Sequence, residues 1–395
     1  MTDPIQHTIA HHFAKLTDPR KFHSPPHLLL DIVTIAICGV ICGADDWVAI
    51  ETFGQAKEAW FRKYLRLPNG IPSHDTFGEV FAALDPSQFQ DCFVSWVSTI
   101  SELTAGEVVA LDGKTLRRSH DKGAGKAAIH MVSAWASRNR LVLGQVKVDD
   151  KSNEITAIPE LLRVLALQGC IVTLDAMGCQ TEIASQIIAQ EADYLLALKA
   201  NHGWLYQEVD RLFKDALSDP KTAIPVQTSR MINKGHGRLE IRQCWTISHP
   251  QYLAYLDPQA RWAGLQTLVR IEATRQLTGA NPTQEVRYYL SSLADDPERL
   301  NRIVRTHWTI ENELHWVLDV AFAEDQSRVR QGHAAENLAV LRHIALIAHK
   351  KLIYLVRFLI GQVNHPAAIR AEERKTNIAA RNKRGIEFVN RTVAQ

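Results

Sequence analysis

The sequence predicts an α/β protein whose core is a mixed β-sheet, with helices before and after it and a β-rich insertion within it. Two short apolar runs with the character of strands each lead into Leu-Asp, at Asp112 and Asp175. Apolar runs of this length, bounded by glycine, are typical of strands buried on both faces. Strand and helix patterns alternate after them, and a long amphipathic helix carries Glu311. The 395 residues, 46% of them hydrophobic, suffice for two or three domains.

The first hundred residues have helical patterns. Candidate helices cover residues 28–42, 47–65, 73–84 and 89–103, separated by Gly and Pro signals. Ser73 is a good N-cap for the third of them, which makes this helix a candidate for the second helix of a helix-turn-helix. A plain helical bundle without contact to a DNA groove explains the same pattern equally well. Residues 1–104 are therefore predicted to be an N-terminal helical domain, with DNA-end binding as one of its two interpretations.

From Glu107 the pattern changes to strands. Strands are predicted at 108–114, 127–136 and 141–148, followed by a helix at 155–168, a strand at 170–175, a helix at 180–190 and a strand at 194–199. The first three form an antiparallel meander in this interpretation. The order β-β-β-α-β-α-β, with acids on the first and fourth strands, is the order expected of a ribonuclease-H-like mixed sheet.

The helix that should close this core is delayed by an insertion. Strand patterns at 238–247, 265–273 and 285–293 precede a helix that begins near Pro297 and extends to about residue 322, and a further helix is predicted at 334–359. The predicted divisions are 1–104, 105–204 for the first part of the catalytic core, 205–296 for the inserted β-rich subdomain, 297–365 for the completed core, and 366–395 for a basic tail.

The two aspartates are candidate ligands of a divalent cation. If their strands are parallel neighbours, about 4.8 Å apart, their carboxylates point into one crevice and can share a Mg²⁺ ion. Without a cation, two carboxylates that close would repel each other. Taken singly, each Leu-Asp is more often a helix cap or a turn residue, and that alternative stays open.

Glu311 is chosen as the third acid by helical phase. At roughly 100° per residue it falls on the apolar stripe with Val304 and Leu318, while Glu313 falls on the opposite side. The sequence therefore predicts that Glu311 faces the core and Glu313 faces water. A carboxylate on such a stripe needs a partner, which is either a cation or a nearby basic side chain such as His307.

The charge of the whole chain excludes little, but its distribution is informative. Lys and Arg number 45 against 43 Asp and Glu. Residues 113–126 are basic and contain Lys114, Arg117 and Arg118, and the tail at 370–391 is also basic. Each stretch is either a phosphate-binding surface or an ordinary solvated face. Trp308 has two interpretations as well: it stacks on an extruded base, or it covers the sheet as a core aromatic.

The compartment predicted is the cytoplasm, with no membrane association. Six cysteines occur without any Cys-x-x-Cys pair and mostly within apolar runs, which is typical of reduced core residues. The first 20 residues lack the layout of a signal peptide, and charged residues interrupt the apolar stretches at 28–44 and 338–361. The absence of His-Glu-x-x-His and of paired cysteines argues against a zinc site.

Five segments carry a resemblance to a known family. They are ALDGK at 110–114, TLDA at 173–176, LKAN at 198–201, KGHGRLEIR at 234–242 and HWTIEN at 307–312. With 62 residues between the aspartates and 135 between Asp175 and Glu311, the chain resembles the DDE transposases of bacterial insertion sequences, most closely the H-repeat-associated type. The resemblance extends from the N-terminal helices to about residue 359.

This resemblance implies a ribonuclease-H-like core in which Asp112, Asp175 and Glu311 are catalytic and bind two Mg²⁺ ions, with Mn²⁺ able to substitute. It also implies a homodimer in the DNA complex. It marks as DNA contacts the residues Lys199, Asn201, His236, Arg238 and Arg242. One departure concerns the last helix, where related transposases have Tyr, Arg, Glu and Lys in order. Here those positions are Val304, His307, Glu311 and Leu318, so His307, Arg305 and His315 are the candidates to replace the missing basic residues.

The function predicted from these features is a DNA transposase. It would cut double-stranded DNA at the terminal inverted repeats and join the 3′-hydroxyl to target DNA, with no covalent protein intermediate. Two alternatives remain at this point: a metal-dependent nuclease that cuts without strand transfer, and a catalytically silent DNA-binding remnant. The terminal-repeat sequence and target preference do not follow from the sequence.

Overall fold

The computed structural model describes residues 9–21, 25–121, 123, 125–148, 154–218, 224–235, 237–277, 279, 281–294 and 296–350. Three predicted features lie outside these ranges: His236, the basic tail, and the end of the helix predicted to reach residue 359.

The described part of the first hundred residues contains six helices: α1 Ile9–Phe13, α2 Leu29–Ile41, α3 Trp47–Ala56, α4 Glu58–Phe61, α5 His74–Ala83 and α6 Pro86–Ile100. Their starts follow local capping, since the side chains of Asp46, Ser73 and Asp85 accept hydrogen bonds from the first backbone N–H groups of α3, α5 and α6. The prediction of a single helix at 47–65 is wrong, because the helical conformation is interrupted at Lys57, between α3 and α4.

The exposed surface of α5 does not have the character of a DNA-recognition helix. Its exposed residues are His74, Asp75, Glu79 and Ala83, and the imidazole of His74 contacts the Glu51 carboxylate at 2.6 Å. Acidic side chains repel phosphates, so this surface favours the plain helical bundle over the helix-turn-helix.

Within the described residues, nine strands form one mixed sheet, in the order β3-β2-β1-β4-β5-β9-β8-β7-β6. The first five are β1 Val108–Leu116, β2 Ile129–Ala136, β3 Leu141–Lys147, β4 Ile171–Leu174 and β5 Asp193–Leu198. Strands β1, β2 and β3 are an antiparallel meander, and β4 and β5 continue the sheet in parallel beside β1. This order is that of the predicted ribonuclease-H-like sheet, which is confirmed.

The inserted strands continue the same sheet. They are β6 Gln227–Gly235, β7 Arg238–Ile247, β8 Thr267–Leu277 and β9 Thr283–Ser291, and β9 pairs antiparallel with β5. Two helices accompany them, α9 Trp204–Ser218 and α10 Pro250–Leu256. Strand β6 and both helices were absent from the sequence-based prediction. The predicted β-rich insertion therefore widens the core sheet through direct hydrogen bonds between β5 and β9.

Helices cover both faces of the core sheet. On one face, α7 Glu154–Val164 packs against β2 and β3, and α8 Thr181–Ala189 packs against β5. On the other face, α11 Pro297–His307 packs across β1, β4, β7 and β8, with Leu300, Ile303 and Val304 in a shared apolar cluster. After α11 come a π-helical segment at Ile310–His315, α12 Trp316–Ala321 and α13 Ala334–Lys350. Helix α13 packs against α2, α5 and α6, so it joins the N-terminal helices to the core.

Candidate active site

Asp112 and Asp175 occupy neighbouring positions because of strand pairing. Strands β1 and β4 are parallel, with Leu111 opposite Leu174, and each aspartate is the next residue. Their backbones are therefore separated by about one strand spacing of 4.8 Å. Asp175 also acts as a turn residue, since its Oδ1 accepts a hydrogen bond from the Met177 N–H at 3.0 Å. The turn interpretation and the shared-crevice interpretation are thus compatible.

Glu311 lies in the π-helical segment, and its predicted orientation is wrong. The helix is not continuous from 297 to 322: α11 ends at His307, and regular α-helix resumes at Trp316. Glu311 is exposed, whereas Glu313 is partly buried and its Oε2 lies 3.2 Å from Arg140 Nε. A π-helical turn holds more residues than an α-helical one, so a phase counted at 100° per residue fails across it. Such segments occur often at functional sites.

The carboxylates act on one another electrostatically. Burial, first, and the negative charges of Asp175, Glu154 and Glu311 together raise the pKa of Asp112 to about 7, against a hydrogen bond from the Gly113 N–H. Asp112 and Asp175 are both partly buried, whereas Glu311 is exposed.

Glu154 is a fourth carboxylate that the sequence reasoning missed. It begins α7, and its Oε1 lies 2.6 Å from His130 Nε2, while His130 Nδ1 lies 2.9 Å from the Thr115 hydroxyl. Gly113 makes room for the pair, because a Cβ there would collide with both side chains. The only sequence signal for this arrangement is the glycine that directly follows Asp112.

Two histidines near the crevice are neutral at pH 7. His315 Nδ1 lies 3.5 Å from Asp112 Oδ2, and burial lowers the pKa of His315 to about 4. His307 Nδ1 lies 2.9 Å from the Thr173 hydroxyl, and burial likewise lowers its pKa to about 4. A neutral imidazole directed at a threonine or a carboxylate cannot replace a cationic phosphate contact, so this prediction for His307 and His315 is corrected.

Trp308 has one of its faces covered. The guanidinium of Arg287 lies 4.4 Å from the centre of the Trp308 ring, and the His307 ring meets it edge-on at 5.5 Å. A cation over the ring contributes about 0.5–1 kcal/mol at partly exposed sites. The arrangement favours the interpretation of Trp308 as a packing aromatic over base stacking.

The basic run after Asp112 divides into two kinds of residue. Lys114 is 12% exposed, and its Nζ lies 2.6 Å from Asp319 Oδ1 and 2.5 Å from Glu324 Oε2. Burial opposes its charge, but the two carboxylates outweigh that effect and raise the pKa of Lys114. Its charge is used within the protein, which corrects its predicted role as a DNA contact. Arg117 and Arg118 are exposed, although Arg117 Nε lies 3.2 Å from Asp325.

Lys199 and Asn201 follow β5 at the same sheet edge as the aspartates. Both are exposed, and the Asn201 amide donates to the Ala176 carbonyl at 3.2 Å, one residue after Asp175. These two predicted contacts border the crevice.

Arg238 and Arg242 lie on β7, four strands away from β4 in the sheet. At 4.8 Å per strand this is about 19 Å. Arg238 is 43% exposed, but Arg242 is 7% exposed and its Nε lies 3.2 Å from Glu240 Oε1. Burial lowers the pKa of Arg242. Because Arg242 lies beneath α11, its predicted DNA contact is corrected to a packing role.

Helix α11, which precedes the segment that contains Glu311, carries three arginines. Arg299, Arg302 and Arg305 recur every three residues, and all are exposed. Arg302 pairs with Glu298, whereas Arg299 and Arg305 have no ion pair with any residue in the described ranges. Only Arg305 was considered from the sequence.

A divalent cation fits the chemistry of this crevice. No three His, Cys, Asp or Glu side chains of the described residues form a ready-made metal site. The donors are nevertheless the hard oxygen ligands that Mg²⁺ prefers. The repulsion that raises the pKa of Asp112 is also the interaction that a cation between the carboxylates would relieve. Separately, none of the described helices is long and apolar enough to span a bilayer.

Comparisons with known proteins show which family the chain resembles. A profile described as "Transposase DDE domain" matches residues 104–348, and one described as "DDE_Tnp_1-associated" matches residues 10–97. The chain is 42% identical over 335 residues to "Putative transposase YncI" of Escherichia coli O157:H7, covering 84% of each chain. It is 40% identical over 339 residues to "H repeat-associated putative transposase YhhI" of Escherichia coli strain K12, covering 85% of this chain and 88% of that one. A piggyBac transposase synaptic complex with hairpin DNA aligns with 11% identity and a TM-score of 0.38 over 96% of this chain and 83% of that one.

Proposed function

Because the chain belongs to the DDE transposase family, we propose that it cuts DNA at the ends of an insertion sequence and joins the released 3′-hydroxyl to target DNA. Asp112, Asp175 and Glu311 are the proposed ligands of two Mg²⁺ ions, with Mn²⁺ able to replace them. The observation that carries the proposal is the parallel pairing of β1 with β4, which brings Asp112 and Asp175 to adjacent positions. The effect of the Glu311 charge on Asp112 supports the third ligand.

In this proposal, residues of the chain bind the cations and orient the carboxylates that hold them. When bound, the cations supply an activated water and neutralise charge on the phosphoryl oxygens. Asp112 is held within its strand, and the turn hydrogen bond from Met177 orients Asp175. The neutral His315 beside Asp112 adds no positive charge that would compete with a cation. No residue needs to act as a covalent nucleophile, since water and the 3′-hydroxyl attack in turn.

The DNA-binding surface differs from the one expected from sequence. Arg299 and Arg305 on α11, Arg118 after β1, and Lys199 with Asn201 after β5 are exposed. Of these, Lys199 and Asn201 follow β5, the strand that pairs in parallel with the one leading to Asp175. Phosphate contacts by such residues give affinity that falls steeply with salt. We assign backbone contacts to them and exclude Lys114 and Arg242, whose charges are engaged within the protein.

The assembly that acts is a homodimer in the DNA complex, with one copy for each element end. Its site of action is the cytoplasm, where bacterial DNA is accessible. Mixing two copies of different mass with paired ends, followed by size analysis, tests this stoichiometry. One copy per paired complex would contradict it.

A cleavage and joining assay tests the function. Labelled terminal repeats are incubated with Mg²⁺, a target plasmid, and either the wild-type chain or the variants Asp112→Asn, Asp175→Asn and Glu311→Gln. The three variants should lose nicking while they bind the ends about as well as the wild type. Glu313→Gln is the matched control, because Glu313 lies in the same π-helical segment and pairs with Arg140. Its nicking should persist.

The products distinguish the alternatives. Joined product supports transposition, cut product alone indicates a nuclease, and a shifted band without cutting indicates a DNA-binding remnant. Nicking that survives in Glu311→Gln but not in Glu313→Gln would contradict the assignment of the third ligand.

A further inference from the structure

Lys114 forms ion pairs within a buried network of charged side chains beside the proposed metal ligands. It follows Asp112 by two residues on β1, and alternate residues of a strand face the same side of the sheet. Its ammonium contacts Asp319 at 2.6 Å and Glu324 at 2.5 Å, and Asp325 lies 3.8 Å away. A lysine used for phosphate binding would present its charge to solvent, so the network requires another explanation.

Glu324 extends the network to a second element. Its side chain is 2% exposed, and its Oε1 lies 3.6 Å from Arg342 NH1 on α13, which is 3% exposed. Removing one member of a buried ion pair leaves an uncompensated charge, which is strongly unfavourable. The network therefore joins β1, α12, the turn at Glu324–Gln326 and α13 as one unit.

Two side-chain contacts join β1 to the helical segment that follows Glu311. Asp112 contacts His315 at 3.5 Å, and Lys114 contacts Asp319 at 2.6 Å. The two strand residues are about 6.7 Å apart, and residues four apart on a helix advance about 6 Å, so the spacings agree. Glu311 lies four residues before His315. It lies within the π-helical segment that His315 ends and that α12 continues.

The segment that carries Glu311 needs such an anchor. It is π-helical, and departures from regular α-helical hydrogen bonding often mark hinges or functional positions. A slip of one helical residue against the strand would move Glu311 by about 1.5 Å along the helix axis and turn it by about 100°. Either change would remove its carboxylate from an ion held at about 2.1 Å.

We propose that Lys114 is a positioning residue, which fixes the register of the Glu311 helix on β1 through Asp319 and Glu324. The consequence of this positioning is metal binding by Asp112, Asp175 and Glu311, and that consequence rests on the proposed function. The positioning itself is independent of that function, because the contacts hold the π-helical segment in the metal-free protein.

The test compares Lys114→Met with Asp319→Asn and a matched control, Lys147→Met. Lys147 lies on β3 and contacts the Glu336 carboxylate of α13 at 3.1 Å, so it also joins a strand to a C-terminal helix, but not to the Glu311 segment. Three quantities are measured for each full-length variant: amide hydrogen exchange of residues 310–321, Mn²⁺ affinity by calorimetry, and affinity for element ends over a range of salt concentrations.

The expected result is faster exchange in 310–321 and a Mn²⁺ affinity about 10–100-fold weaker for Lys114→Met, as for other residues that support metal ligands. DNA affinity and its salt dependence should match the wild type, and Lys147→Met should change none of the three. Asp319→Asn keeps the pair between Lys114 and Glu324, so it should fold and show the same effects in smaller size. If Lys114→Met does not fold, Asp319→Asn alone decides.

Three outcomes overturn the inference. In the first, Lys114→Met loses DNA affinity and the salt slope of DNA binding falls by about one, while hydrogen exchange of residues 310–321 is unchanged. That combination indicates a phosphate contact. Another is an equal effect of Lys147→Met on exchange and metal affinity. The third is unchanged exchange in both Lys114→Met and Asp319→Asn. If the wild type itself binds no Mn²⁺, the proposed function fails, and the exchange measurement still decides the role of Lys114.

Discussion

Replacing Asp112 with asparagine should stabilise the metal-free protein above neutral pH while it abolishes nicking. Burial, first, and the charges of Asp175, Glu154 and Glu311 raise the pKa of Asp112 from 3.8 to about 7. At 1.36 kcal/mol per unit, the ionised carboxylate costs the folded state about 4 kcal/mol relative to the unfolded chain. Asparagine keeps the shape of the side chain and removes the charge.

The pH dependence of this effect has a defined sign. The folded protein holds the Asp112 proton more tightly than the unfolded chain does, so the stability from this group is present at low pH and lost as pH rises through 7. Between pH 6 and pH 8 the loss is about 1.4 kcal/mol. The Asn variant lacks this titration, so its advantage over the wild type should grow by about 1.4 kcal/mol across that interval.

Urea denaturation in EDTA at pH 6, 7 and 8 measures the difference. Asp91→Asn, at an exposed position of α6, is the control and should follow the wild type. Adding Mg²⁺ at pH 8 should stabilise the wild type and leave Asp112→Asn unchanged, since only the wild type retains the full ligand set. Equal pH dependence in the wild type and Asp112→Asn would refute the raised pKa of the buried Asp112 carboxyl on which the reasoning depends.

Four further substitutions separate packing roles from DNA contacts. Gly113→Ala should cost about 1–3 kcal/mol in thermal unfolding, because the new Cβ must displace Glu154 from its histidine partner; an unchanged melting temperature would show that the pair moves freely. Arg242→Met should alter stability without changing the salt slope of DNA binding, whereas Arg305→Ala should reduce that slope by about one and leave unfolding unchanged. His307→Gln should leave the salt slope unchanged at pH 7, because burial lowers the pKa of His307 to about 4 and the ring carries no charge to lose; a reduced slope would contradict this.

The sheet and its two aspartates could be predicted because their signals are local. An apolar run bounded by glycine indicates a buried strand, and the order of strands and helices restricts how such strands pair. The parallel pairing of β1 with β4 followed from that order. Strand β6 was missed because most of its residues are exposed, so its composition lacks the apolar character of a core strand.

The orientation of Glu311 could not be predicted by counting. The sequence from Trp308 to Trp316 contains no proline or glycine that would signal a break, and yet the helix widens there. Contacts with distant parts of the chain surround this segment. Lys350 donates a hydrogen bond to the Glu313 carbonyl at 3.0 Å, and Arg140 pairs with the Glu313 side chain. Both partners are remote in sequence.

The basic residues show the same limit. A sequence motif identifies Lys114 or Arg242 as a basic residue on a strand. It does not show which face of that strand is covered by a helix from a later part of the chain. Glu324 lies 210 residues after Lys114, and Asn301 on α11 donates to the Arg242 carbonyl across 59 residues. Charge runs therefore predicted DNA contacts where the fold uses the charges for its own packing.

A crystal of the protein soaked in Mn²⁺ gives the most direct measurement of the central claim, because anomalous scattering locates the ion without reference to activity. The account predicts density about 2.1–2.2 Å from carboxylate oxygens of Asp112, Asp175 and Glu311 together. Density that contacts Glu154 or Asp319 in place of Glu311, or none in the crevice at a saturating concentration, would contradict it.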